Sequence, residues 1–384
     1  KDLVTSLDVG LQQFVQQRIS AEFSGAAVVM DIYTGDILAM ASTPTFDPSA
    51  FYRGLTAAEW QQLTSDQYRP LTNKAIAGQF APGSTFKIAT SIAAQRVGVS
   101  PSFNVFCPGF YQLGNMRFHC WRKQGHGHLD MPSALQNSCD VYFYELARTI
   151  GIDAIAAGAR ELGLGDMAGL DLPGERPGVI PDRAWKKATM GESWHQGETL
   201  INGIGQGFVL ATPLQLCVMT ARISNGGYAV KPHLFKAVEP AKAEGPSIYP
   251  KMNLDESWLN VVRDGMDRVC NVERATGWTA RITIPGMEMA GKTGSAQVRR
   301  ISMAERATGV RKNESLPWKQ RDHALFVAFA PVHEPRYACA VVIEHGGGGG
   351  LYAGPVARDI MIETQRRDPA RRNPNNEGGR REMP

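Results

Sequence analysis

The chain has 384 residues, 43% of them hydrophobic and 20% charged, with 41 Lys and Arg against 37 Asp and Glu. That length can bury a sizeable core, and the composition excludes a mini-protein, a fibrous chain and a disordered one. The net charge of +4 is uneven: residues 366–384 carry six Arg against three acids, so the remainder is near neutral and presents no nucleic-acid-binding face.

No apolar run approaches the roughly 18 residues of a membrane span. The best, 324–332, stops at nine. No signal peptide is visible. The chain starts at Lys1 rather than Met, so it reads as part of a longer protein, and missing targeting segments say nothing of its address.

In chain order, Asp8 caps a helix carrying Leu11, Phe14, Val15 and Ile19 at helical spacing. Apolar runs 26–33 and 37–42 follow as strands, joined by Thr34-Gly35-Asp36. Ala81-Pro82-Gly83 breaks the chain before Ser84, and 84–97 is helical up to Gly98. Residues 104–130 are irregular and rich in Gly, aromatics, Cys and His. Helices are expected near 132–137 and 141–150, with Ser138-Cys139-Asp140 between them. Residues 163–182 form a loop. Thr212, Pro213 and Gln215 open a helix with a capping box and Pro at its first position. Strands are expected at 287–298, 323–330 and 337–345, then a helix over 356–364. The glycine run 346–350 lacks the strand–loop–helix context of a phosphate site and reads as a flexible connector. This order fits an α/β architecture with one mainly antiparallel sheet and a helical insertion. Strand pairing between the chain ends would make residues 1–365 one unit, followed by a basic, disordered tail at 366–384 that could touch anionic lipid or polymer.

Ser84-Thr85-Phe86-Lys87 puts a hydroxyl and an amine about one helical turn apart. Serine needs a base, and lysine serves as one when burial or nearby positive charge lowers its pKa. The helix N-terminus adds N–H groups for a developing oxyanion. Lys292-Thr293-Gly294 lies in a predicted strand, with a cation and a hydroxyl suited to a carboxylate. Gly291 and Gly294 are expected to leave room for a substrate backbone. Ser138-Cys139-Asp140 supplies a second hydroxyl. The order S-x-x-K, S-x-(D/N), K-T-G is the set used by penicillin-binding proteins and class A β-lactamases.

The chain therefore resembles the transpeptidase domain of class B, monofunctional penicillin-binding proteins, nearest the elongation-associated penicillin-binding protein 2 group. Residues 30–40, Gly197-Glu198-Thr199-Leu200, Gly203-Ile204-Gly205-Gln206-Gly207 and His323-Ala324-Leu325-Phe326 extend the match over roughly 1–365. The resemblance implies a five-stranded, mainly antiparallel sheet flanked by helices, an all-helical lobe, and an active site between them. It implies cross-linking of peptidoglycan stem peptides: Ser84 attacks the D-Ala–D-Ala bond and an amine takes the acyl group. Carried over, Lys87 is the acylation base, Ser138 relays protons, and Lys292 and Thr293 hold the substrate carboxylate. The N–H groups of Ser84 and Ser295 form the oxyanion hole. β-Lactams acylate Ser84, and no cofactor is needed. An inner-membrane anchor, a periplasmic address, a non-catalytic N-terminal region and a membrane glycan polymerase as partner are also implied.

Asp140 stands where the family commonly has Asn. A carboxylate only accepts hydrogen bonds, and beside Lys87 it favours that amine's charged form. A serine β-lactamase or β-lactam-sensing domain is the alternative, with Glu198 or Asp140 as candidate bases for water, and a non-enzymatic wall-peptide scaffold is a third reading. His195 and His323 suit loop and strand-end roles. Cys217, Cys270 and Cys339 suit the core. Cys107, Cys120, His126 and Cys139 could complete a tetrahedral zinc set, or Cys107 and Cys120 a disulfide, or all could stand unlinked.

Overall fold

The computed structural model describes residues 2–238, 249–299, 301–302, 305 and 308–372. Strand β1 (Leu3–Thr5) leads into helix α1 (Val9–Ile19), where Asp8 accepts from Leu11 N as the predicted cap. Strands β2 (Gly25–Asp31) and β3 (Ile37–Thr43) form the expected hairpin. Helices α2 (Pro48–Arg53), α3 (Ala57–Ser65) and α4 (Lys74–Ala77) follow. A 3-10 turn, Gly83–Phe86, runs straight into α5 (Lys87–Arg96).

The 104–130 stretch is more regular than its sequence suggests. It folds as β4 (Val105–Cys107), β5 (Phe110–Leu113), β6 (Met116–His119) and β7 (Gly127–Leu129). These pair as two small ribbons, β4 with β7 and β5 with β6. Strands of three or four residues carry too little alternation for a period-2 pattern to register. Helices α6 (Met131–Gln136), α7 (Asp140–Ile150), α8 (Ile152–Glu161), α9 (Arg183–Met190) and α10 (Gln196–Gly203) build the helical lobe with α5. Helix α11 (Pro213–Ser224) has the predicted capping box between Thr212 and Gln215. Strand β8 (Phe235–Val238) pairs with β1, and α12 (Glu256–Asn271) packs on α6.

Strands β9 (Ala290–Ala296), β10 (His323–Ala330) and β11 (Tyr337–Ile343) complete an antiparallel sheet of order β3-β2-β11-β10-β9. Strands β2, β10 and β11 are buried on both faces, which explains their unbroken apolar runs. Helix α11 covers one face. Helices α1 and α13 (Ala353–Arg367) pack together on the other side, α1 against β3 and α13 against β10 and β11. Because β2 lies between β3 and β11, the two ends of the chain share one core.

The fold does not stop at residue 365. Helix α13 runs to Arg367 and a turn, α14 (Pro369–Arg372), follows. Asp368 accepts from the Tyr337 hydroxyl, and Ala370 is buried. The disordered tail expected at 366–384 is thus folded through 372, and its remainder lies outside the described residues. Among the described residues no helix is long and apolar enough to cross a membrane.

Candidate active site

The turn that carries Ser84 and the edge strand β9 are pressed together. Gly83 has φ +52°, and a Cβ there would lie 2.8 Å from Ser295 O, so both backbone angle and space require glycine. A Cβ on Gly294 would lie 2.8 Å from Pro82 O and 3.0 Å from Thr85 Cγ2, and one on Gly291 would lie 2.5 Å from Phe326. These two glycines therefore admit the Ser84 turn and a core ring, correcting the expectation that they make room for substrate.

Ser84 is half-buried, and its hydroxyl has no hydrogen-bond partner among the described residues. Three residues on, Lys87 is fully buried. Its Nζ donates to Ser138 O at 2.8 Å and to Asp140 Oδ1 at 2.7 Å, with Ser138 Oγ at 3.4 Å. Lys292, also fully buried, is hydrogen-bonded to Ser138 Oγ at 2.9 Å. The Ser138 hydroxyl thus stands between two buried lysines, one from α5 and one from β9. Ser138 itself has φ +50°, an uncommon angle for a side-chain-bearing residue, which aims its hydroxyl out of the α6–α7 corner.

Burial holds Lys292 well below the ordinary lysine range, and the Lys87 charge pushes it further down. Asp140 has two duties. One oxygen pairs with Lys87, and the other accepts from Trp121 N at 3.0 Å. The Trp121 indole N–H donates to Asn137 O beside Ser138. Trp121 escaped the sequence reading; its only signal was an aromatic directly after Cys120.

Cys107 at the end of β4, Cys120 after β6, His126 before β7 and Cys139 at the N-cap of α7 converge. Their four donor atoms all lie within 4.8 Å of one another, with Cys107 Sγ and Cys120 Sγ each 3.6 Å from His126 Nδ1. Zinc bonds of about 2.0–2.3 Å at tetrahedral angles put donors about 3.6 Å apart, so the set fits that ion. All six cysteines are free thiols, against a Cys107–Cys120 disulfide. Cys217, Cys270 and Cys339 are core residues as expected.

Glu198, considered for water activation, is tied down instead. It accepts from the buried Lys186 at 2.6 Å and from His195 N at 2.8 Å, locking the start of α10. His195 caps that helix. His323, the first residue of β10, accepts from His345 N, and burial holds its ring down to about 3. Neither histidine serves the Ser84 hydroxyl.

The family model for the penicillin-binding protein transpeptidase domain matches residues 25–362. The peptidoglycan D,D-transpeptidase MrdA of Acinetobacter baumannii is 38% identical over 382 residues, covering 96% of this chain and 55% of that protein. The chain thus spans about half the length of the curated relatives it matches. Among solved structures, Pseudomonas aeruginosa PBP2 superposes with a TM-score of 0.84 at 37% identity, covering 94% of this chain and 78% of the other. Helicobacter pylori PBP2, solved with MreC, gives 0.84 at 31% identity, covering 95% and 64%. The strand order and the extent of the family match agree with the resemblance read from the three motifs, and the chain belongs to the penicillin-binding protein transpeptidase family.

Proposed function

We propose that this chain is the catalytic domain of a peptidoglycan D,D-transpeptidase that works through an acyl-Ser84 ester and is acylated by β-lactams. The observation that carries the reading is the hydrogen-bonded row Lys87–Ser138–Lys292, with Ser84 in the turn that runs straight into Lys87. Lys87 is held in an ion pair with Asp140, so it must lose a proton before it can act as a base. Lys292 is the receiver on the far side of Ser138 Oγ, where burial lowers its affinity for a proton until a carboxylate arrives. A substrate carboxylate placed at Lys292 and Thr293 favours protonation there, and Ser138 lies on the path between the two amines.

With Lys87 free, Ser84 Oγ adds to the penultimate D-Ala carbonyl and its proton passes to Lys87 Nζ. The Ser84 and Ser295 N–H groups stabilise the oxyanion. The C–N bond then breaks, and the proton leaves with the D-Ala amine. An acceptor amine attacks the ester, and its proton returns by the same path to Ser84 Oγ. The engagement of Glu198 by Lys186 weighs against a β-lactamase. The test is a D-Ala–D-Ala peptide or thioester donor with an added D-amino-acid acceptor. Transfer to the amine, lost in Ser84→Ala, is expected. Rapid hydrolysis of benzylpenicillin, many turnovers per minute, would favour the β-lactamase instead.

Cys107, Cys120, His126 and Cys139 are read as a structural zinc site. When bound, zinc would tie the β4–β7 segment to the start of α7, next to Ser138 and Asp140, without taking part in acyl transfer. Protein purified without chelator should carry about one equivalent of zinc, lost in His126→Ala together with acylation rate. Less than a tenth of an equivalent, with one disulfide, would contradict this. The natural substrates are stem peptides, the partner a membrane glycan polymerase, and the location the periplasmic face of the inner membrane. These rest on the family, and the H. pylori PBP2–MreC complex supports assembly with other wall proteins.

A further inference from the structure

The glycine run 346–350 is not a loose connector. Gly347 N donates to Asp322 O at 2.8 Å, Gly348 O accepts from Tyr352 N, and Gly349 O accepts from Gly354 N. The pair Gly349-Gly350 lies directly on β9. A Cβ on Gly349 would come within 2.1 Å of Gly294 O and 2.5 Å of Leu325 O. On Gly350 it would come within 2.2 Å of Thr276 O and 3.3 Å of Thr293 Cγ2. Neither glycine has a positive φ, so the demand for glycine is one of space alone. Gly349 N donates to Ser295 Oγ at 3.0 Å, and the Thr279 hydroxyl donates to Gly350 O from the far side.

The opposite face of the same short stretch meets the nucleophile turn. Gly294 abuts Pro82 O and Thr85, and the Ser295 backbone N, C and O all lie within 3.4 Å of where a Gly83 Cβ would be. The Gly294–Ser295 peptide is therefore sandwiched between the segment that carries Ser84 and the segment that carries Gly349. An edge strand has a neighbour on only one side, so β9 lacks a second ladder to fix the tilt of its peptides. Backbone contact from above and below supplies that restraint.

We propose that Gly349-Gly350, anchored through Ser295 Oγ, is a positioning element for the oxyanion pocket. It holds the Ser295 N–H and the Thr293 hydroxyl in register with Ser84; this rests on the reading of Ser84 as the acylated nucleophile. The pair has backbone and side-chain atoms of the protein as its neighbours. Its effect is through the strand: a donor displaced by about 1 Å costs on the order of 100-fold in rate, and loss of an oxyanion donor about 100- to 1,000-fold. Gly348 provides the contrast, since a Cβ there would meet nothing within 4 Å.

The experiment is acylation of the purified domain by benzylpenicillin, with binding constant and acylation rate constant resolved by stopped flow. The infrared stretch of the ester carbonyl in the acyl-enzyme is read alongside. Gly349→Ala should lower the rate constant about 10- to 100-fold with little change in the binding constant, and should move the ester carbonyl to higher wavenumber. Ser295→Ala should move both in the same direction and Ser295→Thr should restore them. Gly348→Ala should acylate within about twofold of the parent. Should Gly349→Ala fail to fold, Thr279→Val loosens the same segment from an exposed position and should raise the carbonyl frequency likewise. Unchanged frequency and rate in Gly349→Ala, or in Thr279→Val in its place, would overturn the proposal while leaving acylation at Ser84 intact. Absence of acylation in the parent would remove both.

Discussion

Two buried lysines flank one serine hydroxyl, yet their surroundings assign them different work. Lys87 is paired with a carboxylate, while Lys292 sits among backbone and a hydroxyl, where burial and the Lys87 charge outweigh the pull of Asp140. Lys87→Ala should lower the acylation rate constant about 100- to 10,000-fold, the range of a lost general base, with binding little changed. Lys292→Ala should weaken binding and also lower the rate constant, because it removes both the carboxylate partner and the receiver of the Lys87 proton. The pH dependence separates them further. A bound carboxylate favours the charged form of Lys292, so β-lactam affinity should fall as pH rises, and that slope should vanish in Lys292→Ala. Wild-type acylation in Lys87→Ala, or a slope that survives in Lys292→Ala, would contradict these roles. The residue types were legible in sequence because each motif is local. The second contact of Asp140, to Trp121 N, was not, since nothing in the sequence sets the distance between segments 19 residues apart.

At the scale of elements, caps and strong periodicity marked some segments in the sequence, while helices α3, α8, α9, α10 and α12 were not anticipated although each runs for eight residues or more. Helices α1 and α11 and the sheet strands followed from periodicity and caps. The short ribbons at 105–129 and the packing of the glycine run did not, because short strands carry few pattern positions and glycine reads alike whether exposed or pressed against backbone. His323 shows how an element end stores a pH response. Burial first, then the charges of His345 and Arg69, hold its ring at about 3 against an ordinary 6.5. The native state favours the neutral ring, so its contribution is complete above pH 6.5 and is lost as pH falls from there toward 3. The stability advantage of the parent over His323→Gln should therefore shrink by about 2 kcal/mol between pH 7 and pH 5. Urea denaturation of both proteins at the two pH values checks it, and a pH-independent difference would contradict it.

At the scale of the whole molecule, the groups proposed for catalysis come from three places in the chain that only the complete fold assembles. Ser84 sits in the 3-10 turn before α5 and Lys87 at the first residue of α5, Ser138 and Asp140 at the α6–α7 corner, and Lys292 on β9. The corner belongs to the helical lobe and β9 to the sheet, so the cleft depends on a core shared by both chain ends. Residues 366–372 take part in that core. Cutting after residue 365 removes the Arg367 pairs with Asp8 and Glu363, the Asp368–Tyr337 hydrogen bond and the buried Ala370. That truncation should cost about 1–3 kcal/mol by denaturant midpoint; an unchanged midpoint would show that the segment is dispensable. The account as a whole turns on Ser84, and intact-protein mass spectrometry after benzylpenicillin tests it most directly. It predicts one adduct per chain, mapped to Ser84, persisting for many minutes and absent from Ser84→Ala. An adduct of undiminished level in Ser84→Ala, or none in the parent, would contradict it.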